Sequence, residues 1–168
     1  MTENKYHIPV LLKDSVDNMI VDPNGVYVDV TYGGGGHSRY VLSCLEEGRL
    51  IGFDQDEDAE RNLMDDDRFT FVRQNFGFMK NYLRMIPGAL PVDGVLADLG
   101  VSSYQFDTAE RGFSFRFDAE LDMRMNRDVA KTAKDVLMMY EEADLRYVFK
   151  VYGELSNAYK IAKRVVDR

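Results

Sequence analysis

Short apolar runs alternate with helix-like segments over the first hundred residues. Residues 7–20 carry apolar side chains at helical spacing and run into the turn sequence Asp22-Pro23-Asn24-Gly25. Four apolar runs typical of buried strands follow, at residues 26–30, 50–53, 69–73 and 94–99. Helices are predicted between them, at residues 37–46, 57–64 and 78–86. Strands that alternate with helices through short connections indicate an α/β fold with a parallel, doubly wound sheet.

The pattern changes after Gly100. Residues 101–126 are rich in aromatic, arginine and methionine side chains and have no clear period, which predicts a long loop with short helices. Helices are predicted at residues 132–140, 142–152 and 157–167, and the core is expected to include Met123, Met125, Met138 and Met139. We therefore expect a sheet-forming part at residues 1–103 and the beginning of a helical part at residues 104–168. The fourth strand would lie at an apolar edge, which favours pairing with a second copy of the chain.

Composition narrows the class of protein. The single cysteine excludes an internal disulfide, and with only two histidines we expect no metal site. No signal peptide or membrane span is apparent, so we expect a cytoplasmic protein that does not associate with membranes. The net charge of −8 argues against unspecific binding to nucleic acid. Residues 145–168 nevertheless hold six basic and two acidic side chains, which is typical of a solvated helix face or of an RNA-binding surface.

Four consecutive glycines, Gly33 to Gly36, lie between the first predicted strand and the next helix. Glycines at such a place let the backbone turn sharply and approach a ligand, and the helix start offers free N–H groups to an anion. The dinucleotide motif G-x-G-x-x-G fails because its last glycine would fall on Ser38, and this argues against a nicotinamide-dependent dehydrogenase. The phosphate-loop motif fails at the same place. A compact turn of this kind suits a methionine-type carboxylate better than a pyrophosphate.

Acidic side chains follow three of the predicted strands. Asp54 ends the second strand, where a carboxylate can accept hydrogen bonds from both ribose hydroxyls of an adenosyl group, or can instead serve the start of the next helix. Asp29 either holds the glycine turn or contacts the ligand. Asp98 follows the fourth strand, at the edge where open α/β sheets bind ligands, and is our candidate for a catalytic residue. Phe76, after the third strand, either packs on the adenine or belongs to the core.

Several longer strings of residues resemble the ribosomal RNA small subunit methyltransferase H family (MraW). The most specific are Asp107 with Ala109 to Phe115, and Leu121 to Met125, because the general requirements of a Rossmann-like sheet explain neither string. Further matches are His7 with residues 9–12, and residues 25–29, 35–38, 48–54, 92–94 and 98–103. The chain departs from the family pattern at Gly34, where a larger residue is expected, and at Tyr104, where proline is common.

The resemblance implies a Rossmann-like class I methyltransferase fold, of which about four strands are present before an inserted helical substrate domain begins. It implies S-adenosylmethionine as the methyl donor and N4 of a cytosine in 16S rRNA, or in the small ribosomal subunit, as the acceptor. The family's ligand positions fall here on Gly35, Gly36, His37, Asp54, Phe76, Asp98 and Gln105. The chain is expected to end inside the insertion, so the alternative to an active enzyme is a truncated, non-catalytic chain that binds the donor or RNA.

The transfer itself would be an in-line displacement that requires the cytosine amine to lie close to the methyl carbon. Asp98 would accept a hydrogen bond from that amine. The target base must leave its helix or lie in a single-stranded loop and stack on an aromatic or arginine side chain. Arg111, Phe113, Phe115 and Arg116 are candidates for this RNA contact, and the alternative is that they pack where the sheet part meets the insertion.

Overall fold

The structure, a computed structural model, describes residues 9–168, so His7 and the start of the predicted first helix lie outside the described residues. The chain divides into two units, the first ending at Ser102 and the second formed by Ser103–Arg168. The first unit contains α1 (Leu12–Met19), β1 (Val26–Asp29), α2 (Gly36–Cys44), β2 (Arg49–Asp54), β3 (Phe69–Arg73), α3 (Met79–Met85) and β4 (Gly94–Leu96). The second contains α4 (Ser103–Asp107), α5 (Ala133–Met139), α6 (Glu142–Val151) and α7 (Ala158–Val166).

The four strands form one parallel sheet in the order β3-β2-β1-β4, which confirms the predicted α/β class. Val28 of β1 lies opposite Ile51 of β2 and Val95 of β4. Chain order runs outward from β1 to β3 on one side and then switches to β4 on the other. The strand β4 is an edge strand, as predicted, and Val95 is 49% exposed. Pairing of this edge with a second copy stays a prediction.

Both faces of the sheet are covered. Successive strand residues point to opposite sides, so β1 and β2 each contribute side chains to a buried cluster on each face. Tyr27 and Leu50 belong to a cluster with α1 and α2, where Val16 and Val41 are fully buried. The opposite face holds a second cluster, whose buried members are Val28, Val30, Ile51, Phe53, Leu83 and Ala89. Two covered faces explain why the strands read as nearly continuous apolar runs.

The predicted helix at residues 57–64 is wrong. The segment Glu57–Asn62 is a 3₁₀ helix, after which the chain is irregular up to the turn before β3. The carboxylates of Asp54 and Asp56 each accept the N–H two residues further on, and local bonds of this kind compete with α-helical ones. The acidic run also leaves the segment few apolar side chains to bury, since Ala59 alone among residues 57–62 is buried.

Two further boundaries differ from the prediction. The helix α1 begins only at Leu12 because Leu11 adopts a left-handed backbone conformation, with a φ of 51°. The strand β4 ends at Leu96 rather than at residue 99. The N–H of Asp98 donates to the hydroxyl of Thr31 instead of continuing the ladder, so the end of the predicted strand becomes part of a loop.

The second unit is built from a loop region followed by three packed helices. In the loop region, the guanidinium of Arg124 binds both carboxylate oxygens of Asp122 and the carbonyls of Arg127 and Val129. The expected burial of Met138 and Met139 is wrong, because these side chains are 78% and 72% exposed. Within residues 9–168, no helix combines the length and the apolar character that crossing a bilayer requires.

We predict that Tyr27→Phe destabilises the first unit. The Tyr27 side chain is fully buried, and its hydroxyl accepts from the N–H groups of Val21 and Asp22 and donates to the Asp22 carbonyl. Removing the hydroxyl leaves those groups without their partner, which should lower the free energy of unfolding by about 1–3 kcal/mol in urea titrations. The control is Tyr40→Phe, whose hydroxyl bond to Asp17 is exposed. Equal losses in the two variants would contradict this account.

Candidate functional site

The loops that follow the strands are hydrogen-bonded to one another at the carboxyl edge of the sheet. After β1, the Thr31 hydroxyl accepts the backbone N–H of Asp98, which follows β4, at 2.8 Å. The N–H of Gly33 donates to the carboxylate of Asp54, at the end of β2, at 2.7 Å. The glycine turn, Asp54 and Asp98, which the sequence places far apart, therefore meet at one edge within the first unit.

The glycine turn needs its glycines at two positions in particular. Gly35 precedes α2 with a φ of 72°, and a Cβ on it would lie 2.7 Å from the Arg39 guanidinium and 2.9 Å from the Tyr32 hydroxyl. A Cβ on Gly36 would collide with the ring of Pro9. The helix α2 begins at Gly36, directly after the left-handed Gly35. The N–H groups of its first turn have no acceptor within the helix itself. The partial positive charge at that end favours an anionic ligand group.

The carbonyls of the turn are held by a second set of contacts. The Asn62 side chain donates to the Gly33 carbonyl at 3.1 Å, and the Arg39 guanidinium donates to the Gly34 carbonyl at 2.6 Å. The backbone carbonyl of Asn62 accepts in turn from the Tyr32 hydroxyl and from Arg39. Sequence reasoning missed Asn62 and Arg39. Arg39 could have been found four residues after Gly35, but nothing in the acidic run marks Asn62.

Asp54 combines a positioning role with spare acceptor capacity. One carboxylate oxygen accepts the N–H of Gly33 and the other that of Asp56 at 2.9 Å. An ionised carboxylate offers about four acceptor positions, so about two remain for a ligand. Burial raises the pKa of the Asp54 carboxyl, while the N–H bonds from Asp56 and Gly33 act in the opposite direction. The position of Asp54 is thus compatible with both roles considered from the sequence, which are accepting hydrogen bonds from a ribose and binding the N–H groups of the segment that follows β2.

Asp29 holds the turn from inside the core. Its side chain is 1% exposed and accepts the Ser38 hydroxyl at 2.7 Å and the Thr31 N–H at 3.0 Å. Burial raises the pKa of this carboxyl, and the bond from Ser38 opposes that rise. The sequence left two roles open for Asp29, holding the glycine turn or contacting a ligand. The contacts correspond to holding the turn, because the carboxylate connects the end of β1 to the following loop and to α2 and is almost entirely buried.

His37 and Asp98 face each other beside the turn. His37 is buried, whereas the side chain of Asp98 is 56% exposed, and the His37 Nδ1 lies 3.9 Å from a carboxylate oxygen of Asp98. The His37 Nε2 lies 3.3 Å from the carbonyl of Val10. A carbonyl can only accept, so a neutral ring that donates from Nε2 presents the lone pair of Nδ1 towards Asp98. Two acceptors are then available to a ligand group that carries N–H donors.

Phe76 begins the short 3₁₀ helix Phe76–Phe78 and is 43% exposed, so it does not belong to the core. The preceding Asn75 accepts the Gly77 N–H and donates to the side chain of Gln55, which follows β2. These bonds tie the loop after β3 to the edge that carries Asp54. The packing of Phe76 on an adenine stays a prediction.

The remaining predicted residues lie in the second unit. Gln105 is 6% exposed, with its amide nitrogen 3.3 Å from the sulfur of Met125. Arg111 is 1% exposed, donates to the Arg124 carbonyl and lies against Phe113, so it packs inside the unit rather than on its surface. This burial favours the packing alternative for Arg111, and a contact of Arg111 with RNA stays a prediction.

Two other candidates for RNA contact, Arg116 and Phe115, are both exposed but differ in their contacts. The guanidinium of Arg116 forms an ion pair with Asp107 at 2.6 Å and lies over the ring of Phe117, so its charge is compensated locally. Phe115, in contrast, is fully exposed. An RNA contact of Phe115 stays a prediction.

The order β3-β2-β1-β4 places a topological switch between β1 and β4, and in open α/β sheets ligands bind at such a point. A glycine turn after β1, an acidic residue at the end of β2 and a carboxylate after β4 lie together at this edge of the α/β sheet. The family profile described as the MraW methylase family matches residues 4–168. The chain therefore belongs to the MraW methylase family, as the resemblance predicts.

Curated relatives support this membership. The chain is 59% identical over 165 residues to the ribosomal RNA small subunit methyltransferase H of Bacteroides fragilis, an alignment that covers 98% of this chain and 54% of the relative. The proteins of the same name from Phocaeicola vulgatus and Flavobacterium johnsoniae are each 55% identical, with 99% of this chain and 55% of the relative covered. The chain thus spans about half the length of these relatives.

We predict that Asn62→Ala loosens the glycine turn. The substitution removes the donor to the Gly33 carbonyl but keeps the backbone carbonyl that Tyr32 and Arg39 bind. A single hydrogen bond contributes about 0.5–1.5 kcal/mol, so amide hydrogen exchange at Gly34 and Gly35 should become about two- to tenfold faster. Asn18→Ala, which removes only an exposed bond within α1, is the matched control. Unchanged exchange in Asn62→Ala would refute the assignment.

Proposed function

We propose that this chain forms the donor-binding half of an S-adenosylmethionine-dependent methyltransferase that modifies N4 of a cytosine in 16S rRNA of the small ribosomal subunit. Family membership and the names of the relatives support the class of reaction and the RNA. The observation that carries the proposal is the bond between the Gly33 N–H and the Asp54 carboxylate, because it unites a helix start suited to an anion with an acceptor suited to a ribose.

The donor would lie along the carboxyl edge of the sheet. The N–H groups around Gly35, Gly36 and His37 suit the methionine carboxylate, and the spare acceptor positions of Asp54 suit the ribose hydroxyls. The exposed ring of Phe76 suits the face of an adenine. Gln105 is carried over from the family pattern. When bound, S-adenosylmethionine supplies an electrophilic methyl group attached to a positive sulfur.

Asp98 is proposed to act on the acceptor amine. The lone pair of a cytosine amine is delocalised into the ring, so the protein must orient the group and stabilise the positive charge that develops on nitrogen. The carboxylate of Asp98 is exposed at the edge and its backbone is fixed by Thr31. It can therefore accept an N–H of the amine while the lone pair faces the methyl group. Nothing in this role requires a metal.

The second candidate function is the alternative that the sequence leaves open: the chain binds the donor or RNA without transferring a methyl group. Calorimetry with S-adenosylmethionine, together with incorporation of labelled methyl groups into small-subunit rRNA, distinguishes the two. Donor binding with incorporation supports the enzyme, and donor binding without incorporation supports the binding protein. Absence of donor binding would refute the proposed donor site, whether it belongs to an enzyme or to a protein that only binds the donor.

We predict that Asp54→Asn weakens donor binding about tenfold or more at pH 7, because hydrogen bonds to a charged acceptor contribute about 1.5–3 kcal/mol. In the unchanged chain, donor affinity should be full at neutral pH and should fall as the pH drops through the pKa of Asp54, since the protonated carboxyl loses its acceptor capacity. Burial raises that pKa, so the loss should begin at a higher pH than for an ordinary aspartate. Calorimetry over a pH series measures both effects.

A donor analogue that lacks the ribose hydroxyls separates ribose binding from support of the turn. If Asp54 binds the ribose, the analogue and Asp54→Asn should not weaken binding additively. Fully additive losses would restrict Asp54 to holding Gly33 and Asp56.

We predict that Asp98→Asn lowers methyl transfer by about 10²–10³-fold, a larger factor than its effect on donor affinity, because the carboxylate acts on the charge that develops during transfer. Turnover should be measured with this chain and with a chimera in which residues 1–168 precede the remaining part of the Bacteroides fragilis relative. Asp67→Asn, an exposed acid before β3, is the control. Near-normal turnover of Asp98→Asn in an active chimera would exclude the proposed role.

A further inference from the structure

Charge is divided unevenly between the two units. The first hundred and two residues hold nine basic and seventeen acidic side chains, whereas residues 103–168 hold twelve of each. Within the second unit, three of the six cations before α6 form ion pairs: Arg116 with Asp107, Arg124 with Asp122 and Lys134 with Glu120. Residues 103–141 hold six basic and eight acidic side chains, whereas residues 142–168, which include α6 and α7, hold six basic and four acidic ones.

One side of α6 and α7 gathers cations around an exposed aromatic ring. The guanidinium of Arg146 on α6 lies 5.7 Å from the centre of the ring of Tyr159 on α7, which brings these sides of the two helices together. Lys150 follows Arg146 by one turn, and Lys163 follows Tyr159 by one turn, so each lies on the same side of its helix. We name these four residues the basic face. All four are exposed, and Tyr159 keeps 51% of its surface accessible.

Within residues 9–168, the cations of the basic face form no ion pairs. No carboxylate of this part of the chain lies within ion-pair distance of Arg146, Lys150 or Lys163. An acid does lie four residues from each cation along the chain: Glu142, Glu154 and Asp167, respectively. Three uncompensated cations beside a ring suit a ligand that presents both phosphates and unstacked bases. Double-stranded nucleic acid offers the phosphates but not the base faces.

A second aromatic surface adjoins the basic face on α6. Tyr147 and Tyr152, which are 58% and 75% exposed, pack edge to face. They line an open depression of about 390 Å³ together with Tyr140, Val148 and the acidic Asp144. Exposed tyrosines with satisfied ring contacts provide flat surfaces on which further bases can stack. Exposed aromatic side chains of the second unit are thus also found on α6 at Tyr147 and just after α6 at Tyr152, and the half-buried Tyr140 lies at the end of α5.

We propose that the basic face binds single-stranded RNA, with Arg146, Lys150 and Lys163 contacting phosphates and Tyr159 stacking on a base. The inference rests on the proposed function, because that function makes RNA the partner. It names a surface in the second unit that is formed by residues other than those proposed to bind the donor. It differs from the contacts expected at Arg111 and Arg116, whose charges are engaged inside the unit.

The test measures fluorescence anisotropy of a labelled single-stranded RNA of about twelve nucleotides with the whole chain, at several salt concentrations. Replacing Arg146, Lys150 and Lys163 together by glutamine should weaken binding at least about tenfold and reduce the salt slope by about two. The matched control replaces Lys13, Lys80 and Arg84, three exposed cations of the first unit, so that net charge changes equally. Equal losses in the two triple variants would overturn the proposal, because they would reflect net charge alone.

Variants of Tyr159 test base stacking without changing the charge of the basic face. Tyr159→Ala should weaken binding about tenfold with an unchanged salt slope, and Tyr159→Trp should restore it. Circular dichroism confirms that each variant is folded. Equal affinity for a duplex of the same sequence, or no effect of Tyr159→Ala in the folded protein, would overturn the proposal.

Donor calorimetry on the same proteins keeps the two proposals apart. Normal S-adenosylmethionine binding with RNA affinity insensitive to the basic face would refute this surface and leave the donor site standing. Loss of donor binding with RNA affinity still dependent on the basic face would refute the proposed function and retain the surface.

Discussion

The hydrogen bond between the Gly33 N–H and the Asp54 carboxylate is the contact on which the arrangement of the site depends. It fixes the distance between the turn after β1 and the end of β2, two places separated by an entire helix in the chain. Asp29 stabilises the same turn from the core through Ser38 and Thr31. Two carboxylates of the same type therefore have different roles, because one is enclosed and fully occupied whereas the other keeps acceptor capacity at the surface.

Side chains from two other segments hold the backbone of the glycine turn. Gly33 and Gly35 have positive φ values, and the carbonyls of Gly33 and Gly34 accept from the side chains of Asn62 and Arg39. Arg39 acts twice, since its guanidinium binds both the Gly34 carbonyl and the Asn62 carbonyl. The 3₁₀ segment that replaces the predicted helix matters for this reason, because it brings Asn62 back to the turn.

Sequence patterns predicted the sheet well, because four short apolar runs buried on both faces leave little choice of structure. They also predicted which residues reach the carboxyl edge, since that follows from strand order. They failed where side chains compete with the backbone. The aspartates before residue 59 divert N–H groups from an α-helix, and Thr31 takes the N–H of Asp98 from β4. Periodicity also could not predict that Arg111 is buried, because a buried guanidinium depends on carbonyls such as that of Arg124, which are supplied by a distant loop.

One position of the turn is free to change. A Cβ on Gly34 would meet no atom within 4 Å, whereas its neighbour Gly35 is confined by Arg39 and Tyr32. A larger residue at Gly34 would therefore keep the folded backbone and restrict only the unfolded chain, where glycine has the most conformational freedom to lose. The side chain at this position can consequently vary without rebuilding the glycine turn.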